Sequence, residues 1–226
     1  RTELFRQWGH YWNINDETKR VRIEKSPSNM IMSRFLRQVF GSKRTKFIFI
    51  SRHPVANAMS QLATGNVRYD RRNLNDLIAH WIRQHEILLE DDLVFLPRDQ
   101  VRIISLNELT RRPEKVILEL WKWILGDDDD NSTRSISETD MKNLRSSIEN
   151  HHVQTDDPDR KWREKFCAEQ RSSETKRREF IKLIQEHEGR IGDLTDNDAL
   201  YSLRHWLKSC NLQEEGESSK SSAFVD

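Results

Sequence analysis

A short apolar run near residue 50 is the clearest element that the hydrophobic pattern predicts. The segment Lys46–Ser51 (KFIFIS) carries β-branched and aromatic residues at most positions, which is typical of a strand buried on both faces of a parallel sheet. Pro54 follows and suits the first position of a helix, because that position needs no N–H donor. The pattern therefore predicts a strand, then a loop at Arg52 and His53, then a helix.

Helical spacing of apolar residues predicts the elements on either side of this strand. The helix before it is capped by Ser28 or Asn29, forms a crossover between parallel strands and ends at Gly41. Its apolar face consists of Met32, Phe35, Leu36, Val39 and Phe40. A short strand at Val21–Glu24 would set Lys25 at its carboxyl end. Alternating strands and helices are the signature of an α/β fold. The other predicted elements are helices over 2–13, 75–90 and 141–149, a strand at Val101–Ser105, a helix that begins at Pro113, and a basic helical segment that follows a turn at 157–159 and extends to Ile184.

One apolar stripe of the helix that begins at Pro113 is predicted to belong to the core. It consists of Val116, Ile117, Leu120, Trp121 and Ile124. Residues at this spacing lie on one side of a helix. We therefore expect this side to face the interior.

Length and composition predict one α/β domain over residues 1–210. A chain of 226 residues is large enough to bury most of the surface that its unfolded form would expose. Seven Trp and nine Phe indicate a packed core. After Cys210 the chain is rich in Glu, Ser, Gly and Lys, which predicts a disordered tail over 211–226. Because the sequence begins with Arg1, we expect the natural N-terminus to lie upstream and the domain to be incomplete at that end.

The charge and the hydropathy exclude two classes of partner. The formal net charge is +1, whereas proteins that bind nucleic acid usually carry a strong basic excess. No apolar run approaches the ~20 residues of a membrane span, so we expect no membrane contact within this segment. Cys167 and Cys210 either pair in an oxidising lumen or stay free in the cytosol. The compartment therefore stays open between the Golgi lumen and the cytoplasm.

Two clusters of potential metal ligands are interpreted as surface features. The four aspartates at 127–130 lack the spacing of an EF-hand loop. The adjacent histidines at 151 and 152 have no third ligand at a recognisable distance. We therefore expect no metal site.

Arg52 is the residue that the predicted fold places best for binding an anion. Open α/β sheets bind ligands beyond the carboxyl ends of their strands, and helix N-termini attract anions. Ser60 lies eight residues after Arg52, about two helical turns further, where its hydroxyl can donate to a phosphate held by the guanidinium. The alternative is a surface arginine in an ordinary loop with a serine nearby.

Two sequence elements of this region resemble sulfotransferases that use 3′-phosphoadenosine 5′-phosphosulfate (PAPS). The first is Glu24-Lys25-Ser26-Pro27-x-Asn29 and the second is the strand followed by Arg52-His53-Pro54 with Ser60. Their order and spacing match over about forty residues, as does the general form of the intervening helix. The resemblance implies a P-loop-like fold with a three-layer arrangement, a parallel sheet flanked by helices. It also implies that PAPS is the co-substrate and that no metal takes part.

The resemblance also implies roles for individual residues. Arg52 and Ser60 would bind the 3′-phosphate of the nucleotide, and Lys25 would be an active-site cation. In relatives a late basic loop covers the nucleotide, and here Arg160, Lys161 and Arg163 would serve. The acceptor would be a hydroxyl or an amine on a carbohydrate, a protein or a small molecule.

One element that the family uses is not found in this sequence. It is a strand, loop and helix with Lys or Arg and Ser or Thr around a Gly, which binds the 5′-phosphosulfate. We expect it upstream of Arg1, so the segment alone would be inactive. The catalytic base would be lost with that region or lie near Glu3 or His10, and it stays unassigned.

Two other classes of function remain as alternatives. One is a non-catalytic module with a sulfotransferase-like fold that binds a nucleotide or a protein. The other is a nucleotide kinase, which is disfavoured because the chain contains no GxxxxGK[ST] motif.

Overall fold

A computed structural model describes residues 21–64, 73–125, 137–150, 155–194 and 203–210. The predicted N-terminal helix over 2–13, Glu3, His10, the acidic run at 127–130, the histidine pair and the tail over 211–226 lie outside these residues. The chain divides into two compact units, Arg1–Phe47 with Ile87–Arg102, and Ile48–Glu86 with Ile103–Asp226. That the whole chain up to residue 210 is one domain stays a prediction.

The first unit contains the segment around Lys25 and a short helix. The predicted strand at Val21–Glu24 is wrong, because residues 21–26 have no regular structure. The predicted cap at Ser28 or Asn29 is wrong, because both residues lie inside a 3-10 turn at Pro27–Ile31. Helix α1, Ser33–Phe40, begins after Met32. Gly41 ends α1 as predicted, with φ of 102°, a conformation that favours glycine. Further helical turns follow at Ile87–Asp92, Leu93–Phe95 and Arg98–Gln100.

Gln100 ties the later part of this unit to the end of α1. Its Oε1 accepts a hydrogen bond from Nε of Arg37 at 3.1 Å. Its Nε2 donates to the carbonyl oxygen of Ser42 at 2.6 Å. Leu36 and Val39 of α1 are buried, whereas Phe35, which the apolar pattern placed on the same face, is exposed.

A small parallel sheet joins strands β1, Phe47–Ser51, and β2, Val101–Ser105. Both strands are where the sequence pattern predicts them. Burial of β1 on both faces is wrong, because Ile48 and Ile50 are 39% and 56% exposed. Ile103 of β2 is 52% exposed as well. The described residues therefore cover one face of the sheet and leave apolar side chains of the other in contact with solvent.

Helices dominate the second unit, and their starts follow local capping rules. Helix α2 begins at Pro54 and a later helix at Pro113, as predicted. Asn73 caps the helix that follows it: its Oδ1 accepts from the N–H of Asp76 at 2.8 Å, while Oδ2 of Asp76 accepts from the N–H of Asn73 at 3.3 Å. The helices are α2, Pro54–Ala63; α3, Leu74–Glu86; α4, Leu106–Arg111; α5, Pro113–Leu125; α6, Glu138–Asn150; α7, Arg160–Ser172; α8, Glu174–Leu194; and α9, Leu203–Ser209.

The core of this unit lies where α2, α3, α7, α8 and α9 pack together. Phe166 and Phe180 meet edge to face with ring centroids 4.8 Å apart, and Trp206 tilts against Phe166 at 5.9 Å. A disulfide joins Cys167 of α7 to Cys210, the residue after α9. The sequence left this pairing open, and the structure shows the paired form.

The core face of α5 differs from the predicted stripe. Val116 is buried as expected, but Trp121 is exposed and Trp123 is buried instead. Both tryptophans are large and apolar, so the spacing alone does not decide which one the neighbouring elements cover. Across the described parts of the chain, no helix combines the length and the hydrophobicity needed to cross a bilayer.

His85 makes stability depend on pH. Burial lowers its pKa from 6.5 to about 4, although the hydrogen bond from its Nδ1 to the carbonyl oxygen of Trp81, 2.8 Å, acts in the opposite direction. Below pH 6.5 the unfolded chain binds a proton at His85 that the folded protein does not bind. The free energy of unfolding should therefore decrease as pH falls from 6.5 towards 4. The full effect is about 3 kcal/mol. Urea unfolding at pH 7 and at pH 4.5 measures it.

A neutral replacement should remove this contribution. His85→Gln is expected to lose less stability than wild type between the two pH values. The control is His205→Gln, because His205 is an exposed histidine of the same unit. Equal pH dependence in wild type and His85→Gln would contradict the assignment to His85.

Candidate functional site

The carboxyl ends of β1 and β2 lie side by side and each leads into a helix. Oγ of Ser51, the last residue of β1, donates to the carbonyl oxygen of Ile104 in β2 at 3.4 Å. Ser105 ends β2 and caps α4, since its Oγ accepts from the N–H of Glu108 at 3.1 Å. This is the edge at which open α/β sheets place their ligands.

His53 fixes the loop between β1 and α2. Its Nδ1 accepts a hydrogen bond from the N–H of Val55 at 3.2 Å, so the imidazole acts as the N-cap of α2. Its ring stacks on Trp206 with centroids 4.1 Å apart and an angle of 11° between the planes. The buried ring therefore anchors the loop to α9. Sequence reasoning missed this role, although the position directly before a helix-starting proline is the signal of an N-cap.

Arg52 forms an ion pair with Asp159. Nε of Arg52 donates to Oδ1 of Asp159 at 2.8 Å, and their side chains are 20% and 5% exposed. Burial raises the pKa of the Asp159 carboxyl, and the Arg52 guanidinium acts against this rise. The pair joins residues 107 positions apart, and nothing in the sequence pattern indicated it.

The turn that carries Asp159 is held at this edge from more than one side. The backbone N–H of Asp159 donates to Oδ1 of Asp157 at 3.2 Å, and the other carboxylate oxygen of Asp157 pairs with Arg163. The N–H of Thr155 donates to the carbonyl oxygen of Thr110 in α4 at 3.0 Å. The segment before α7 is therefore tied both to the helix after β2 and to the loop after β1.

Arg160 and Lys161, the predicted late basic residues, begin α7 directly after Asp159. Nε of Arg160 donates to Oε1 of Glu164 at 3.0 Å in an exposed pair. Nζ of Lys161 lies 4.6 Å from the ring centroid of Trp162. The structure thus brings the start of the basic segment to the partner of Arg52. Contact of these two side chains with a nucleotide stays a prediction.

Ser60 lies partly buried on α2. It follows Pro54 by six residues, about 9 Å along the helix axis. Asn57, one turn earlier, has its Oδ1 bonded by Nε2 of Gln61 at 3.2 Å. A role for the Ser60 hydroxyl in phosphate binding stays a prediction.

Lys25 belongs to the first unit and is exposed. Glu24 accepts a hydrogen bond from Nδ2 of Asn29. This contact closes the segment that contains Lys25, and it uses two residues of the motif on which the resemblance depends. The role of Lys25 as an active-site cation stays a prediction.

A family model described as the sulfotransferase family matches residues 3–130, more than half of the chain. The chain therefore belongs to the sulfotransferase family, and transfer of sulfuryl groups is the general class of reaction. The matched range contains Lys25, Arg52, Ser60 and both strands, whereas Arg160 and Lys161 lie beyond it. No curated protein and no solved structure matches the chain.

Proposed function

We propose that the full-length protein transfers the sulfuryl group from PAPS to a hydroxyl or an amine. The observation that carries the proposal is the position of Arg52, at the carboxyl end of a parallel strand and directly before a capped helix, within the range that the family model matches. This is where an α/β fold presents an anion site.

The state of the Arg52 side chain supports this proposal. A guanidinium has five N–H donors, and among the described residues only the Nε donor of Arg52 has a partner. Its two terminal nitrogens keep the fork that binds a phosphate through two parallel hydrogen bonds. We assign this fork to the 3′-phosphate, with Ser60 as a further donor and with Arg160 and Lys161 covering the nucleotide.

For the complete fold we propose a three-layer, P-loop-like architecture. The exposed apolar side chains of Ile48, Ile50 and Ile103 support further elements over that face of the sheet. One of them would be the strand, loop and helix that bind the 5′-phosphosulfate, which the family places ahead of the Lys25 element.

The proposed reaction is an in-line displacement at sulfur. The acceptor oxygen or nitrogen forms a bond to sulfur while the bond from sulfur to the bridging phosphate oxygen breaks. The acceptor loses its proton to a base, and adenosine 3′,5′-bisphosphate leaves with the electron pair. Lys25 would stabilise the negative charge that develops on the bridging oxygen, an effect that raises kcat because it is strongest in the transition state.

The disulfide supports a compartment for this activity. Stable disulfides form in oxidising compartments and are rare in the cytosol. The bond between Cys167 and Cys210 therefore favours the Golgi lumen over the cytoplasm.

The proposal is tested with the full-length protein in two measurements. Titration calorimetry with adenosine 3′,5′-bisphosphate measures binding, and radiolabelled PAPS with carbohydrate, protein and small-molecule acceptors measures transfer. Binding with transfer supports the enzyme. Binding with no transfer to any acceptor class favours the non-catalytic module, and absence of binding overturns the proposal.

Lys25→Ala should lower kcat about a hundredfold with little change in the KM for PAPS. The reason is that an electrostatic contact made in the transition state contributes to catalysis more than to substrate binding. Lys43→Ala is the control, because Lys43 is an exposed lysine of the same unit. Steady-state kinetics at varied PAPS concentration separate the two constants, and an unchanged kcat would remove Lys25 from the site.

A further inference from the structure

The partner of Arg52 has a defined place in this site, which the family motifs do not include. Asp159 contacts the Nε edge of the guanidinium and leaves the edge with the two terminal nitrogens unpaired among the described residues. A phosphate can therefore still meet two parallel N–H donors at the edge that Asp159 does not contact.

The Asp159 carboxylate is itself held in place. Its side chain is 5% exposed, and its carbonyl oxygen accepts from the N–H groups of Trp162 and Arg163 at 3.0 and 2.9 Å in the first turn of α7. Its own N–H is bonded to Asp157. The backbone around Asp159 is thus held at a helix start, and this limits how far its buried carboxylate can follow a moving arginine.

We propose that Asp159 is a positioning residue that orients Arg52 through Nε, so that the terminal nitrogens of Arg52 are set for the 3′-phosphate before the nucleotide arrives. This inference rests on the proposed function and adds to it a residue 107 positions from the arginine. Preorganisation of this kind improves affinity because fewer side-chain conformations are lost on binding.

The negative charge of Asp159 should weaken phosphate binding, whereas its hydrogen bond to Arg52 should strengthen it. The test must separate these two effects. A carboxylate behind the guanidinium repels an incoming phosphate, while its hydrogen bond orients the guanidinium. Asp159→Asn and Asp159→Ala both remove the charge, but only asparagine keeps an oxygen that can accept from Nε. The comparison of these two variants therefore isolates orientation from charge.

The readout is the preference for the 3′-phosphate in the full-length protein. It is the Kd for adenosine 5′-phosphate divided by the Kd for adenosine 3′,5′-bisphosphate, both from calorimetry. We expect this ratio to be about tenfold lower in Asp159→Ala than in Asp159→Asn, since an ordered hydrogen bond to a charged group is lost. A general loss of structure would weaken both nucleotides and leave the ratio unchanged.

Asp156 provides the matched control. It is an exposed aspartate three residues before Asp159, and its Asn and Ala variants should show equal ratios. Equal ratios for the two Asp159 variants, in a protein that still prefers the 3′-phosphate, would overturn the inference and leave the proposed function in place. No preference in the wild type would overturn the 3′-phosphate site itself, and the inference with it.

A second measurement uses only the wild-type protein, so it does not depend on the folding of a variant. The Nε–H resonance of Arg52 in the ¹⁵N-labelled wild type should stay protected from solvent exchange when adenosine 3′,5′-bisphosphate is added to saturation. Release of this proton into rapid exchange on binding would show that phosphate displaces Asp159, and would overturn the positioning role.

Discussion

Arg52→Ala is expected to raise the Kd for adenosine 3′,5′-bisphosphate by about a hundredfold, because it would remove the bidentate contact that we propose with the 3′-phosphate. The loss should appear in the KM for PAPS more than in kcat, since the 3′-phosphate is remote from the transferred group and binds equally in both states. Ser60→Ala should act in the same direction but by about threefold, the effect of a hydroxyl donor. Calorimetry and steady-state kinetics measure the two effects.

The control for this prediction is Arg171→Ala. Arg171 is an exposed arginine near the end of α7, in the same unit as Arg52, so it matches the change in charge. Unchanged nucleotide affinity in Arg52→Ala would remove the central assignment of the site.

The same substitution should also destabilise the fold, for a reason that concerns Asp159. Without Arg52, the buried carboxylate would lose its hydrogen-bonded cation and keep only the weaker attraction of Arg163, so its pKa would rise further than burial already raises it. A carboxyl whose folded pKa lies above its unfolded pKa costs stability once pH rises through the folded value. The free energy of unfolding of Arg52→Ala should therefore approach that of the wild type as pH falls. Adding Asp159→Asn to the same chain should recover part of the lost stability.

The sequence predicted well those features that depend on neighbouring residues. Pro54 and Pro113 act at the first residue of their own helices, so the helix starts that they predict are confirmed. The position of Arg52 after β1 follows from the same local signals. Capping and periodicity are properties of a few neighbouring residues, and they hold whatever packs around them.

The parts that sequence reasoning missed depend on contacts between distant segments. Asp159 reaches Arg52 from a turn whose Thr155 is hydrogen-bonded to Thr110 of α4. The stack of His53 on Trp206 needs α9 to return to the loop after β1. Neither residue pair has a spacing that a pattern along the chain can detect.

The burial of β1 shows a different limit of prediction from sequence. An apolar run such as KFIFIS is compatible with burial on both faces, but the covering elements decide how much is buried. In the described residues Ile48 and Ile50 remain exposed. The apolar composition of the strand therefore did not determine how much of it is buried.

Loss of the disulfide is expected to lower the free energy of unfolding by about 4 kcal/mol, the loop-closure entropy for a bond between residues 43 positions apart. For a domain of this size the loss corresponds to a fall in Tm of roughly 10 °C. The effect should reach the site as well. Cys167 lies in α7, whose first turn follows Asp159, and Cys210 lies one turn after Trp206, which stacks on His53.

The test compares the wild type with Cys167→Ser/Cys210→Ser, each with and without reductant. Reductant should lower the Tm of the wild type and weaken its binding of adenosine 3′,5′-bisphosphate. The double variant should have a low Tm and a low nucleotide affinity without reductant, and reductant should change neither. A wild type whose Tm falls but whose nucleotide affinity holds would mean that the disulfide stabilises the helical core without supporting the loop of Arg52 and His53. If neither quantity changed on full reduction, α7 and α9 would be held by packing alone, with Phe166 and Trp206 as the contacts that keep them together.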